Sequence, residues 1–352
     1  MQNHGLIFSL TMVFFGILTI SSSTTLTTTA HAFTSKDPQS SKAAMRVLVT
    51  GAAGKTGRLV LSKLEQDPRY EPKGLVRSEA SARSIVKSKE IKCPLEHVVI
   101  ADITSPNFLQ DLEPSVHYHG LDKLEAMIIC TSAVPRISKR SFVAMLIKAP
   151  INWIRRKPLV DFRSIQFKWK HPPNGYPEKV DYEGQINQIE LAKKLGIQHV
   201  IIVSSMGGTE PNNFLNSVGK TIDKNGVSTG HGDILLWKRR AEMYLVESGL
   251  DYTIIHPGGL LDTPGGNEEF VLDVDDNLYQ GPKRSTRISR EDLAELCVAA
   301  LSVAKGQKVS FDCITRPLPE GDKSRTAPKS AERALSEFLE LSKSSNYASL
   351  KN

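Results

Sequence analysis

From residue 45 onward, short β-branched runs alternate with stretches whose apolar residues recur every three or four positions. Runs of the first kind, at 46–50, 74–77, 97–101, 126–130, 199–203, 252–256 and 309–312, predict seven strands. Stretches of the second kind, at 56–65, 185–195, 235–247 and 291–303, predict helices between them, the last with Ser289 as a candidate cap. Alternation of this kind predicts the α/β class: one Rossmann-like, doubly wound parallel sheet of about seven strands, covered on both faces. At 330–343 the residues Leu335, Phe338 and Leu339 share one helical face, so a closing helix is expected to dock there. No internal repeat is visible. The expected folded unit is a single domain over 45–345, with 346–352 as a disordered tail.

The front end breaks this pattern. An apolar run at 5–20 is followed by "SSSTTLTTT" and by the small-residue pattern Ala30-His31-Ala32, which predicts a signal peptide over 1–32. The run is short for a hydrocarbon core of about 30 Å, so a permanent anchor is the lesser reading. Beyond it, "FTSKDPQSSKAAM", opening with Phe33, makes 33–44 a transit-like segment. Together the two parts resemble the bipartite plastid-targeting leaders of heterokont algae, which implies the chloroplast stroma; the alternative is the secretory pathway. Against plain secretion, the chain has no Asn-x-Ser/Thr sequon, and its four cysteines, Cys93, Cys130, Cys297 and Cys313, are scattered rather than spaced as a disulfide framework.

The turn after the first strand decides between two nucleotide chemistries. "GAAGKTG" contains Gly-Lys-Thr, but a phosphate-wrapping P-loop needs a glycine five residues before Gly54, where the strand residue Val49 stands. What fits is Gly51-x-x-Gly54-x-x-Gly57 between a strand and a helix, the arrangement that sets a pyrophosphate at a helix N-terminus. Ala53, Lys55 and Thr56 fill that turn. Twenty residues after Gly57 the second strand ends at Arg77, where an NAD site would carry a carboxylate for the ribose hydroxyls. An arginine there suits the 2′-phosphate of NADP(H), because its planar fork binds phosphate through charge-assisted hydrogen bonds. The alternative is a solvated arginine at a strand end. Lys55 and Arg58 add positive charge nearby.

The motifs "VLVTGAAGKTG", "GLVRS", "ADIT", "TSAVP", "DYEGQINQIELAKKLGIQHVIIVSSMGG", "WKRRAEMYLVESGLDYTIIHPGGLLD" and "ISREDLAELC" follow one another in order. On them the chain resembles the atypical short-chain dehydrogenase/reductases, in particular the NADP-binding proteins of the sugar epimerase-like, NmrA-like group. The resemblance covers residues 45–343. It implies adenine-side contacts at Asp102 and Ile103, ribose-side contacts at Thr131, Ser132 and Ala133, and a nicotinamide-side turn at Pro257, Gly258 and Gly259. The bland alternatives are that Asp102 caps a turn and that the glycines only turn the chain.

Reductases of this superfamily use Ser, Tyr and Lys, the last two spaced Tyr-x-x-x-Lys so that both share a helical face. Ser205 and Lys238 match, Lys238 being expected also to bind the nicotinamide ribose hydroxyls, but four residues before it stands Ile234, which cannot transfer a proton. The position of an active-site Asn in the family holds Asp181 here, which makes Asp181 the leading candidate for proton transfer; its alternative role is to cap the next helix. The catalytic candidates are thus Asp181, Ser205 and Lys238, with His256, Tyr176, Tyr182 and His231 as further titratable residues near the crevice and no metal expected. The activity implied is NADP(H)-linked oxidation or reduction of an unknown small substrate. A non-catalytic, NADPH-responsive binding or assembly protein of the plastid and an epimerase/dehydratase are the alternatives.

With 40% hydrophobic and 24% charged residues, the 352-residue chain has an ordinary soluble composition. Its net charge of +7 is local: residues 136–170 carry ten Lys or Arg against Asp161, so the rest of the chain sums to −2. This segment lies in the first of three long connections, at 135–180, 207–233 and 261–288, that leave the carboxyl edge of the expected sheet. Three readings stand for it: a cover over an anionic substrate or the cofactor phosphates, a docking element for an acidic partner or anionic membrane surface, and nucleic-acid binding. No nucleic-acid module is recognisable, which places the third last.

Overall fold

The computed structural model describes residues 43–87, 93–138, 143, 147, 167–222, 228–279, 286–318 and 327–341. The leader expected at 1–32, nearly all of 33–44, most of the basic stretch and the tail at 346–352 lie outside the described residues. Those described fall in one compact unit, Ala43–Asn352.

Eight strands form the central sheet, in the order β12-β14-β10-β7-β4-β1-β2-β3. They are β1 (Met45–Thr50), β2 (Tyr70–Val76), β3 (Val98–Ile100), β4 (Ala126–Ile129), β7 (His199–Val203), β10 (Asp251–Pro257), β12 (Glu269–Asp273) and β14 (Lys308–Arg316). All pair in parallel except β12, which runs antiparallel to β14 at the edge. The seven expected strands are present and β12 is an addition. Every residue of β12 is half-buried, so it carries no alternation that would separate it from the loop around it. The strand β2 also starts earlier than expected, because Pro72 reads as a break. At Pro72 the strand is flanked by β1 alone, since β3 pairs only with Gly74–Val76, and a missing N–H is tolerated on an open flank.

Among the described residues seven helices pack on the sheet: α1 (Lys55–Gln66), α2 (Glu79–Val86), α3 (Phe108–Tyr118), α4 (Gly184–Leu195), α5 (Ile234–Glu247), α6 (Arg290–Val303) and α7 (Ala331–Glu340), with shorter turns such as Phe214–Ser217. In α1 the buried residues are Gly57, Val60, Leu61 and Leu64, one stripe of a 3.6-residue period. Successive strand residues feed opposite faces of the sheet: Val47 and Val49 pack with α1, α6 and α7, whereas Leu48 packs with α3, α4 and α5. Ser289 caps α6 as expected, its hydroxyl oxygen accepting the Asp292 N–H at 2.9 Å. The closing helix α7 docks through Leu335 and Phe338, the latter 5.4 Å from the Phe311 ring.

Each long connection at the carboxyl edge holds or is closed by a small ribbon. The first carries β5 (Pro135–Ile137) paired with β6 (Phe167–Trp169), the second β8 (Lys220–Ile222) with β9 (Ser228–Gly230), and the third is bracketed by β11 (Gly259–Leu261) and β13 (Arg287–Ser289). All four cysteines are free thiols, and three are buried. Burial pushes the Cys93 and Cys130 thiols up to about 12 and those of Cys297 and Cys313 well above their usual range.

Candidate functional site

The glycine turn has the geometry its spacing predicts. Gly51 adopts a left-handed φ of 65°, and a Cβ on Gly57 would stand 2.4 Å from the Gly51 carbonyl oxygen, so only glycine lets α1 approach the strand end. Gly54 precedes α1 without a side-chain cap, and no acidic residue occupies the first helical turn. The amide groups at this helix start are therefore open to an anion. Ala53 and Thr56 are half-buried there. Lys55 turns away to pair with Asp262, which also pairs with Arg290, so the glycine turn is tied to the segment after β11.

Arg77 lies just past β2, with its Nε 3.8 Å from Asp102 Oδ2. The other Asp102 oxygen accepts the Thr104 N–H at 3.0 Å and the Thr104 hydroxyl at 2.8 Å, so Asp102 caps a turn. Ile103 packs against Gly184, where a Cβ would meet it at 2.9 Å.

A buried ion pair meets the segment that follows β4. Asp181 is fully buried; its Oδ1 accepts from Lys238 Nζ at 2.8 Å and its Oδ2 accepts the Ala133 N–H at 3.2 Å. It sits within a π-helical turn, Glu178–Glu183, that runs straight into α4, so it does not cap that helix. Such widened turns recur at functional sites because they re-aim a side chain. Ile234, at the start of α5, is buried and contributes no polar atom. Thr131 is held by Gln188, whose amide donates to its hydroxyl at 3.1 Å, and Gln185 reaches the Thr131 carbonyl at 3.5 Å. Ser132 is exposed beside them.

The structure thus brings Thr131, Ala133, Asp181 and Lys238 together. Among the described residues no hydrogen bond joins Ser205 to that group; its hydroxyl donates to the Met206 carbonyl at 3.2 Å. Pro257 accepts the Met206 N–H at 3.1 Å, and a Cβ on Gly258 would lie 2.5 Å from the Thr286 carbonyl oxygen. Gly259 donates its N–H to the same carbonyl at 2.8 Å; close backbone approach accounts for Gly258, whereas a Cβ on Gly259 would meet only ordinary contacts at 3.5 Å or more.

Sequence reasoning missed the two buried glutamines, although polar residues three apart beside Ile189 and Ala192 interrupt an otherwise apolar stripe. It also missed a second buried cluster. Glu242 accepts from Arg239 at 2.7 Å and from the Ser204 hydroxyl, and lies 3.1 Å from His256 Nε2. His256 Nδ1 is 3.3 Å from Asp312, and Asp276 accepts the Gly207 N–H at 2.6 Å and the Thr209 N–H at 2.8 Å. Burial opposes the charge on Glu242, but Arg239 and His256 overcome it and hold the carboxyl well below its usual range. Burial likewise opposes charge on His256, and Glu242 outweighs it, so the imidazole is raised. The other aromatic candidates form a layer near the surface: Tyr176 stacks on His231 at 3.7 Å, and Tyr182 lies 5.5 Å from Trp237.

Residues 170–303 match a family described as NAD(P)H-binding. Over 282 residues the chain is 38% identical to sanguinarine reductase of Eschscholzia californica, an alignment covering 79% of this chain and 92% of that one. The chain belongs to the atypical short-chain dehydrogenase/reductases. Another relative of this reductase is an uncharacterised chloroplastic protein of Arabidopsis thaliana, 36% identical over 78% of this chain and 70% of its own length. Among solved structures, a Bacillus halodurans protein described as an NAD-dependent epimerase/dehydratase superposes with a TM-score of 0.51 at 20% identity, over 85% of this chain and all of that one, and so shares the fold. The reductase therefore takes a nicotinamide dinucleotide in a Rossmann groove, with the uncapped start of α1 and the Gly51–Gly57 approach fitting its pyrophosphate.

Proposed function

We propose that this reductase is NADPH-dependent, reduces a small substrate and works in a plastid. The observation that carries the reading is the buried Asp181–Lys238 pair at the carboxyl edge, joined to the backbone of Ala133. A buried ion pair is costly to assemble, and a lysine held this way is oriented rather than free. Arg77 supports NADPH over NADH, since its neighbour Asp102 is 3.8 Å away and partly committed to Thr104.

A bound nicotinamide supplies the hydride. Reduction of a polar double bond also consumes a proton, and Ile234 has none to give. Lys238, one helical turn after Ile234, is in this reading the proton donor, and Asp181 fixes that ammonium in direction. With one carboxylate oxygen on Lys238 and the other on Ala133, Asp181 acts in this reading through Lys238. Ser205 borders the same edge and would meet substrate rather than the lysine.

Titration of the full chain with both cofactors tests the NADPH assignment. Losing a charged hydrogen bond worth roughly 1.5 to 3 kcal/mol, Arg77→Ala should weaken NADPH by about 10- to 150-fold and leave NADH nearly unchanged. Equal losses for both cofactors overturn it. Sanguinarine, the compound in the relative's name, is the first substrate probe. Turnover with any substrate should fall steeply in Asp181→Asn while cofactor affinity holds; robust activity surviving both Asp181→Asn and Lys238→Met overturns the site.

The plastid reading is supported by the chloroplastic Arabidopsis relative and by thiols that stay free. A reporter fused behind the leader should enter plastids of a heterokont alga, and Phe33→Ala should divert it. Unchanged import of that variant counts against the reading.

A further inference from the structure

The helices α1 and α6 lie side by side and start at the same edge of the sheet. Along their seam Lys63 pairs with Glu295. At its head Lys55, the first residue of α1, and Arg290, the first residue of α6, pair with the two oxygens of one carboxylate, that of Asp262 just past β11. The two helix starts differ in what they offer an anion. That of α6 carries Glu291 and Asp292 in its first turn and is capped by Ser289. That of α1 follows the glycine turn, has no side-chain cap and has no acid in its first turn. The carboxylate paired with its first residue comes from elsewhere in the chain, from Asp262.

Asp262 is not what fixes its own segment. The Gly265 N–H donates to Glu291 at 3.0 Å and the Gly266 N–H to Asp292 Oδ1 at 2.7 Å, and a Cβ on Gly265 would stand 2.6 Å from that same oxygen. These contacts hold the segment after β11 against α6 whatever side chain stands at 262. The Asp262 and Lys55 side chains are 57% and 69% exposed, so solvent screens their pairing and little resists its exchange. Arg290 is only 19% exposed and stays in place. A diphosphate at the uncapped start of α1 brings negative charge to amide groups that face it. Lys55 then has a stronger partner than Asp262, and Asp262 becomes a like charge beside the diphosphate.

We propose that Asp262 competes with the pyrophosphate of a nicotinamide dinucleotide for Lys55 and Arg290, and so sets how firmly the reductase holds its cofactor. The proposal rests on the Rossmann groove and not on the choice between NADPH and NADH, because the pyrophosphate is common to both. Lys55 passes from carboxylate to diphosphate, and Arg290 stays between the two. Differences in affinity at one site fall mostly on the dissociation rate. The carboxylate therefore speeds the exchange of spent for fresh cofactor between turnovers.

The test is a set of titrations of the full chain with NADPH and NADH, with dissociation followed by stopped flow. Asp262→Asn keeps the shape and removes the charge, so it should bind each dinucleotide about three- to tenfold more tightly, chiefly through slower dissociation. The gain should shrink at high salt, which screens an exposed charge. It should also be smaller in a Lys55→Gln background, where one of the contested cations is gone. Glu295→Gln, which removes a carboxylate from the same seam away from the glycine turn, should change either affinity by less than about twofold. The sign of the change separates competition from support. Weaker binding in Asp262→Asn would mean that the bridge shapes the groove, and it overturns the proposal, as does unchanged binding or an equal gain in Glu295→Gln. If the wild type binds both dinucleotides and Asp262→Asn does not tighten them, this proposal alone fails; if the wild type binds neither, the dinucleotide groove fails with it.

Discussion

Asp181 is as deeply placed as the valines of β1 and Lys238 nearly so, yet both are ionisable. Such a pair adds little net stability compared with apolar residues of similar size, but removing one partner strands a charge in a low-dielectric interior. Lys238→Met should therefore lower the unfolding free energy by about 3–5 kcal/mol, measured by chemical denaturation. Adding Asp181→Asn should recover much of that loss, because the carboxamide oxygen still accepts the Ala133 N–H and no longer carries charge. A double variant no more stable than Lys238→Met would mean that packing, rather than charge, is what the pair supplies. The Lys55–Asp262–Arg290 bridge is a contrast: Asp262 is exposed, solvent screens the pairing, and its loss should barely move the denaturation midpoint.

At the scale of elements, what the sequence revealed follows from how local each signal is. The glycine turn was legible because Gly51, Gly54 and Gly57 are demanded by backbone contacts a few residues apart. The helices announced themselves through stripes such as Val60, Leu61 and Leu64, and the cap Ser289 through a side-chain bond three residues ahead. β12 was hidden, since its pairing with β14 joins residues such as Val271 and Ile314 that no local pattern connects. The β5–β6 ribbon was hidden for the same reason: Arg136 finds Lys168 only in space. At the site, Asp181 and Lys238 could be named singly, but their bond across 57 residues could not. Nor could the glutamines be assigned, because a buried Gln reads as a surface residue until its partner Thr131 is seen.

Across the whole molecule, two buried histidines mark opposite ends of the paired strands β7 and β10. His199 opens β7 and meets the Thr253 hydroxyl at 3.0 Å, whereas His256 lies near the end of β10 among Glu242, Arg239 and Asp312. Burial depresses His199 from 6.5 to about 4, so its contribution to stability is present above pH 6.5 and is lost as pH falls toward 4. That loss is on the order of 3 kcal/mol. His256 is raised above 6.5, so its contribution is full below that pH and is lost as pH rises through the folded value. Stability should consequently peak near neutrality. Denaturation midpoints across pH 4–9 should show the acid limb flattened in His199→Gln and the alkaline limb flattened in His256→Gln; limbs that keep their wild-type slopes would sink this assignment. The thiols add a different kind of insulation. With Cys93 and Cys130 pushed up to about 12, only about one in ten thousand would be a thiolate at pH 8, and thiolates are the form that oxidants attack. Thiols so placed should react slowly with peroxide and in disulfide exchange, so mild oxidant should leave the cysteines of this reductase unmodified.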